Sequence, residues 1–250
     1  MATFAQVIHH NDEAVTHMLQ GDIEVSNAKL RECFLMLKEC LMNTAQADED
    51  ECDSNNESKK AKSLTASLSY VPSTSYYAVE ALQDEDFFIY NRPVVFGKPM
   101  LASIAGESPI RTGRILSAGI IFNMALLCHV RARMGNLGSL IKAQKLYYNV
   151  VRLASNNDED NEDERQPLFA IELGLAALNN YLQACLELGE LEEAQQAASS
   201  LQAASGHLTQ PQALLDACVW DAIMTNVLAL GVSSTQYGGV LTLVACAPAA

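Results

Sequence analysis

The sequence predicts an all-α fold of stacked antiparallel helical hairpins, and three observations predict it. Apolar residues recur at steps of three and four over long stretches, the period of a helix with one buried face. Glycines at 21, 135 and 189 interrupt these stripes near their middles, where a hairpin would turn. Aromatic residues are only 6% of the 250, with 13 Gly and 7 Pro, which argues against a sandwich of many short strands.

The first hairpin is placed at residues 12–42. Asn11 is read as the cap of its first helix, with Asp12 and Glu13 favourably placed in the first turn. Its second helix is expected to bury Leu30, Phe34, Leu37 and Leu41. Residues 44–69 are rich in Ser, Asn, Asp and Glu and are expected to be a disordered insert. Residues 70–110 hold four prolines, at 72, 93, 99 and 109, and the β-prone runs Phe87-Phe-Ile-Tyr90 and Val94-Val-Phe96. This segment is expected to be an irregular or short-β connector packed on the helical body, since a two-stranded ribbon alone is marginal.

The second hairpin is placed at 113–154. Its stripes are Leu116, Ile120, Met124 and Leu127, then Leu140, Ala143, Tyr147, Val150 and Ala154, with Gly135-Asn-Leu-Gly138 as the turn and Ser139 as a cap. An acidic loop, 155–166, follows. The third hairpin, 167–204, has the most regular pattern: Leu168, Ile171, Leu175, Leu178, Leu182 and Cys185, then Leu191, Ala194, Ala198 and Leu201 across Gly189. A last helix is expected at about 210–230, signalled by Thr209 and Pro211 and burying Trp220, Ile223 and Val227. Residues 1–232 thus read as one helical domain, and 233–250 as a flexible tail.

The net charge of −14 is concentrated in two places. Residues 48–57 carry six acids and 156–164 carry six more, without a Lys or Arg; elsewhere 18 acids face 16 bases. With no basic stripe, nucleic-acid binding has no electrostatic footprint. Residues 1–13 lack the apolar core of a secretory signal. The seven cysteines form no C-x-x-C pair and read as reduced thiols, which places the chain in the cytoplasm or nucleus. Two uncharged stretches invite a membrane reading. Residues 115–130 are short for a span and contain Asn123 and His129, and 222–250 is broken by Gly231-Val-Ser-Ser-Thr-Gln-Tyr-Gly-Gly239. Both disfavour a membrane.

Gly189-Glu-Leu-Glu-Glu-Ala194 closely resembles the turn of a tetratricopeptide repeat, and Ala143 with Tyr147 resembles the Ala-plus-aromatic pair of that repeat's second helix. Gly21-Asp-Ile-Glu-Val-Ser26 is similar but has Ser where Ala is usual. The corners lie 114 and 54 residues apart, against about 34 in a regular array, so the repeats are degenerate and carry insertions. The resemblance implies an α-α superhelix whose groove binds a protein or peptide. It further implies that Asn123 and Asn180, in matching places on first helices, bond the backbone or terminal carboxylate of that ligand. His129, Gln183 and Glu187, on or near the same helices, complete the expected groove. Gly119 and Ala176 stand where the carboxylate-binding version of the family has cations, and Asp12 is the counterpart in the first hairpin; the carboxylate clamp is therefore not expected. The alternative for the two Asn residues is a bond between neighbouring helices.

No pattern points to catalysis, a cofactor or a metal. His9, Glu13 and His17 would align on one helix, but a cap at Asn11 would leave His9 outside it. Cys128 and His129 are adjacent and so do not face each other on a helix. The turn at 135–139 follows a helix and lacks the P-loop lysine. Ser54-Asn-Asn-Glu57 and Ser155-Asn-Asn-Asp158 could take phosphate from an acid-directed kinase, or be similar solvated loops by chance. The sequence therefore reads as a non-enzymatic interaction scaffold. One rival is an enzyme or small-molecule binder with a pocket lined by Phe87, Tyr90 and Phe96; another is a homo-oligomeric or tail-tethered adaptor.

Overall fold

A computed structural model describes residues 2–50, 69–70, 89–97, 108–155, 168–207 and 217–230. The fold is all-α: these residues form seven helices and one short pair of strands. The helices are α1 (Phe4–Leu19), α2 (Ile23–Asp50), α3 (Pro109–Arg133), α4 (Leu137–Ser155), α5 (Leu168–Leu188), α6 (Leu191–His207) and α7 (Ala217–Ala229). The strands are β1 (Ser69–Tyr70) and β2 (Val94–Val95), antiparallel, with Tyr70 opposite Val94. Each helix packs on the next in the chain, and α3 also touches α1, α5 and β2.

The three glycine corners are built alike. Gly21, Gly135 and Gly189 have φ of +84°, +97° and +77°, the left-handed region that suits glycine. After α1, Asp22 N–H donates to His17 O and Gly21 N–H to Met18 O. After α3, Asn136 N–H donates to Arg131 O and Gly135 N–H to Ala132 O; after α5, Glu190 N–H donates to Cys185 O and Gly189 N–H to Leu186 O. These paired bonds satisfy carbonyls of the last turn of each helix and turn the chain within two or three residues. In the first hairpin the buried Ser26 hydroxyl donates to Ala14 O at 2.8 Å, which accounts for Ser where the repeat pattern has Ala.

Several starts and faces differ from expectation. Helix α1 begins at Phe4, capped by Thr3 in a reciprocal box with Gln6, so Asn11 is a buried mid-helix residue and not a cap. That earlier box satisfies the free N–H groups, and Val7 and Ile8 gain a place in the core. Helix α2 runs on to Asp50, into the stretch expected to be disordered. Its buried stripe is Leu30, Cys33, Leu37 and Cys40, whereas Phe34 is 38% exposed. The Cys33 thiol donates to Val7 O at 3.1 Å, and burial pushes its pKa up to about 12. Ser139 lies inside α4 rather than capping it. The expected stripe of α4 is buried throughout, as are Trp220, Ile223 and Val227 of α7. The expected start of the last helix at 209–211, the acidic loop beyond Ser155 and the tail 233–250 lie outside the described residues.

Helix α3 is the hub. It is 25 residues long, and among the described residues it alone is long and apolar enough to cross a membrane; 61% of that stretch is buried inside the fold. It is buried on several sides because α2, α4, α5 and the 89–97 segment all lie against it.

Candidate functional site

The 89–97 segment is a non-helical strap lying against α1, α3 and α5. Ile89, Tyr90, Val94 and Phe96 are buried in the main core. Such a segment has a difficulty: beyond its pairing with β1, its N–H and C=O groups face helices whose own backbones are already paired, so these would be buried without a partner. Side-chain carboxamides resolve it. An Asn carries one acceptor and one donating NH2 in a plane, the same pairing edge that a neighbouring β-strand offers.

Asn180 on α5 takes both groups of Tyr90. The Tyr90 N–H donates to Asn180 Oδ1 at 2.7 Å, and Asn180 Nδ2 donates to Tyr90 O at 2.8 Å. Asn123 on α3 does the same to Val94, with the N–H on Oδ1 at 2.7 Å and Nδ2 on the carbonyl at 2.9 Å. Both groups of one residue point to the same side only in extended chain, so the contact itself selects that conformation. Asn11 on α1 donates to the same Val94 carbonyl at 3.0 Å and accepts from Asn123 Nδ2 at 2.9 Å. Next to it, the Asp12 carboxylate accepts the N–H groups of Phe96 and Gly97, both at 3.0 Å. Gly97 has φ +57°, the left-handed region that suits glycine, so the chain turns directly after this contact. The network continues to α7, where Asn226 Nδ2 donates to Asn179 Oδ1 at 2.9 Å.

The side chains of the strap are read as well. Tyr90 meets Phe122 edge-on at 6.0 Å, and Phe122 meets Tyr147 at 5.8 Å. Phe96 packs on Phe169 at 6.4 Å. A Cβ at Gly119 would lie 2.5 Å from the Phe96 ring and 3.1 Å from Val94. Gly119 therefore stands where a cation was conceivable because a side chain there would expel the strap.

Of the five residues expected to line an open groove, Asn123 and Asn180 meet the strap, and both are fully buried beneath it. The expectation that these side chains stand free for a partner is corrected to this extent: the place is filled by the chain itself. His129 on α3 and Gln183 on α5 both bond Glu187 of α5 instead. His129 Nε2 faces Glu187 Oε1 at 3.3 Å and its Nδ1 faces the Tyr147 hydroxyl at 3.4 Å. Arg133 and Gln183 donate to the same carboxylate oxygen at 2.6 and 3.3 Å. Burial pushes the Glu187 carboxyl up, but the His129 bond and the charges of His129 and Arg133 outweigh it and hold the pKa below its ordinary value. Burial pushes the Tyr147 hydroxyl well above its usual range, with a hydrogen bond to Asn180 opposing it.

Compared with family models, curated proteins and solved structures, the chain matches none. Its site is therefore read from geometry alone. Tyr90 and Phe96, expected to line a small-molecule pocket in the rival reading, are spent on ring packing in the core; Phe87 lies outside the described residues. His9 and Glu13 do align on α1, at 3.7 Å, but His17 turns to Asp22 at 3.4 Å. Among the described residues no cluster of three His, Cys, Asp or Glu could hold a metal. Cys128 is half-buried, its thiol pushed up by burial, and His129 turns away from it to Glu187. Ser155 ends α4 with its hydroxyl donating to Val151 O at 2.7 Å, and Ser54 lies outside the described residues.

Asn179 and Asn226 were not singled out by the sequence, and Asn11 was read only as a helix cap. The signal available for Asn11 was its neighbour Asp12, the first-hairpin counterpart of the two clamp residues.

Proposed function

We propose that this chain is a non-enzymatic interaction scaffold of tetratricopeptide-like, superhelical architecture that holds an extended segment of a partner protein along its first helices. One observation carries the reading: Asn123 and Asn180, on successive first helices, each grip both main-chain groups of one extended residue. The clamp holds the peptide backbone whatever the side chain, the rings beside it hold the side chains, and α1 continues the clamp with Asn11 and Asp12. The three similar corners and the recurrent helix pairs support a repeat architecture, and repeats of this kind generally present extended surfaces to other proteins. The step from fold to role rests on that analogy.

The test is affinity capture from the native cell, followed by photo-crosslinking and peptide mapping. It compares the intact chain with a Tyr90→Ala/Phe96→Ala variant in which the strap is weakened. A partner whose crosslinks fall on α1, α3 and α5, and whose yield rises in the variant, is the expected result. No retained partner on either form, or crosslinks confined to other helices, overturns the reading.

A further inference from the structure

We propose that residues 89–97 are a built-in competitor seated in the peptide groove, and that the partner is an extended segment of the same side-chain pattern which displaces it. The pattern is Tyr90-Asn-Arg-Pro-Val94-Val-Phe96-Gly97: an aromatic residue, a β-branched residue four further on, an aromatic two beyond that, then glycine. The inference rests on the scaffold reading and specifies the ligand of the same site.

Each position of the pattern has a counterpart on the helices. The aromatic at the first position lies edge-on to Phe122 while its backbone is held by Asn180. The β-branched residue packs over Gly119 while Asn123 and Asn11 hold its backbone. The second aromatic fills the hollow between Gly119 and Phe169. The closing glycine turns its N–H to Asp12.

The contacts are those of a bound peptide rather than of an integral helix. The clamp residues reach the strap through side chains alone, so the helical hydrogen bonds of α1, α3 and α5 do not depend on it. Thirty-eight residues separate Asp50 from Ile89 and ten separate Gly97 from Ser108, so the strap is not an immediate continuation of either flanking helix. What its departure uncovers is a row of donors and acceptors, Asn11, Asp12, Asn123 and Asn180, with an apolar hollow beside them. Such a row binds the next extended chain of matching pattern.

The experiment converts the strap into a free ligand. Protease sites are placed within 75–85 and within 98–107 of the full chain, the purified protein is cut at both, and a fluorescent synthetic peptide of residues 86–99 is added. The expected result is saturable binding to the cut chain, at least tenfold weaker binding to the uncut chain, and at least tenfold loss in the cut Asn180→Leu and Gly119→Val proteins. A peptide of scrambled order does not bind. Helicity by circular dichroism is retained after the released strap is washed out. The uncut Tyr90→Ala/Phe96→Ala protein supplies a second route and is expected to bind the same peptide. Loss of helicity together with the strap in both proteins overturns the proposal, because the strap is then permanent core. Equal binding to cut and uncut chains also overturns it, because nothing is being displaced. A cellular partner that stays on the uncut chain in excess peptide overturns the competition and leaves the scaffold reading standing; absence of any partner on either form removes that reading itself.

Discussion

Asn180 and Tyr90, ninety residues apart, are joined by two hydrogen bonds at 2.7 and 2.8 Å that close a ring between a side-chain amide and a main-chain residue. The pair is fully buried, so neither main-chain group can turn to water if the amide is lost. Asn180→Ala leaves two buried polar groups, at about 1–3 kcal/mol each. A loss of about 2–6 kcal/mol is expected in urea unfolding followed by circular dichroism. Asn180→Asp keeps the acceptor but replaces the donor with a buried charge, so it is at least as unstable at neutral pH. Burial raises the pKa of that carboxyl, and the protonated form regains an O–H donor. Stability of the Asp variant, relative to Ala, is therefore expected to recover as pH falls. No such recovery would show that the ring is not what holds Tyr90.

Glycines 119 and 138 lie in helices but are expected to respond to alanine with opposite sign. At Gly119 a methyl meets the Phe96 ring at 2.5 Å, and the ring is confined between α3 and Phe169. Overpacking of this kind costs about 1–3 kcal/mol, more than the helix-propensity gain of up to about 1 kcal/mol. At Gly138 the nearest atom is Asn136 Oδ1 at 3.6 Å and the position is exposed, so the propensity gain stands alone. Thermal unfolding should show Gly119→Ala melting lower than the parent chain and Gly138→Ala melting higher.

The corner at Gly189 permits a cleaner backbone test. A Cβ there meets nothing within 4 Å, so any cost is conformational and not steric crowding by neighbours. Its φ of +77° is costly for an L-residue, by roughly 1–2 kcal/mol, and less so for Asn. Gly189→Ala is expected to destabilise by about that amount in urea titrations, with Gly189→Asn between it and the parent. Equal stability of all three would mean that the corner relaxes to another conformation.

How much was legible in the sequence depends on how far away each residue's partner lies. Helix α4 reads correctly from Leu140 to Ala154 because the apolar residues of its buried face repeat locally, although Ser139 and Gln144 are buried with them. The face of α2 was misjudged by one position. Cys33 and Cys40 complete a 3-4-3 spacing with Leu30 and Leu37, the larger Phe34 and Leu41 complete an equally helical 4-3-4 spacing with them, and size favoured the wrong pair. Asn11 looked like a cap because an Asn before two acids is a frequent helix start; its actual partners, Val94 and Asn123, are 83 and 112 residues away. The β-prone run at Val94-Val-Phe96 was visible, but its path was not. Its pairing with Asn11, Asp12, Asn123 and Asn180 fixes where the strap lies, and isolated polar side chains on helices carry no periodic signal.

Glu187 links the groove helices to pH. Its carboxylate oxygen is approached by His129, Arg133 and Gln183, and Tyr147 closes the other side of the His129 ring. Its pKa in the fold lies below the ordinary value of 4.5 despite burial, because the bond from His129 and the charges of His129 and Arg133 favour the ionised form. A lowered native pKa means that the unfolded chain binds the proton more readily. The stabilisation is therefore complete above about 4.5 and is lost as pH falls through the lower native value. Glu187→Gln removes this contribution while keeping an acceptor. The stability gap between parent and variant, from urea unfolding at a series of pH values, is expected to shrink steadily below about pH 4.5. Repeating the pair in a His129→Asn background should leave a smaller gap, since one of the attractions is then absent. A gap that widens towards acid would mean that burial, and not His129 and Arg133, sets the state of this carboxyl.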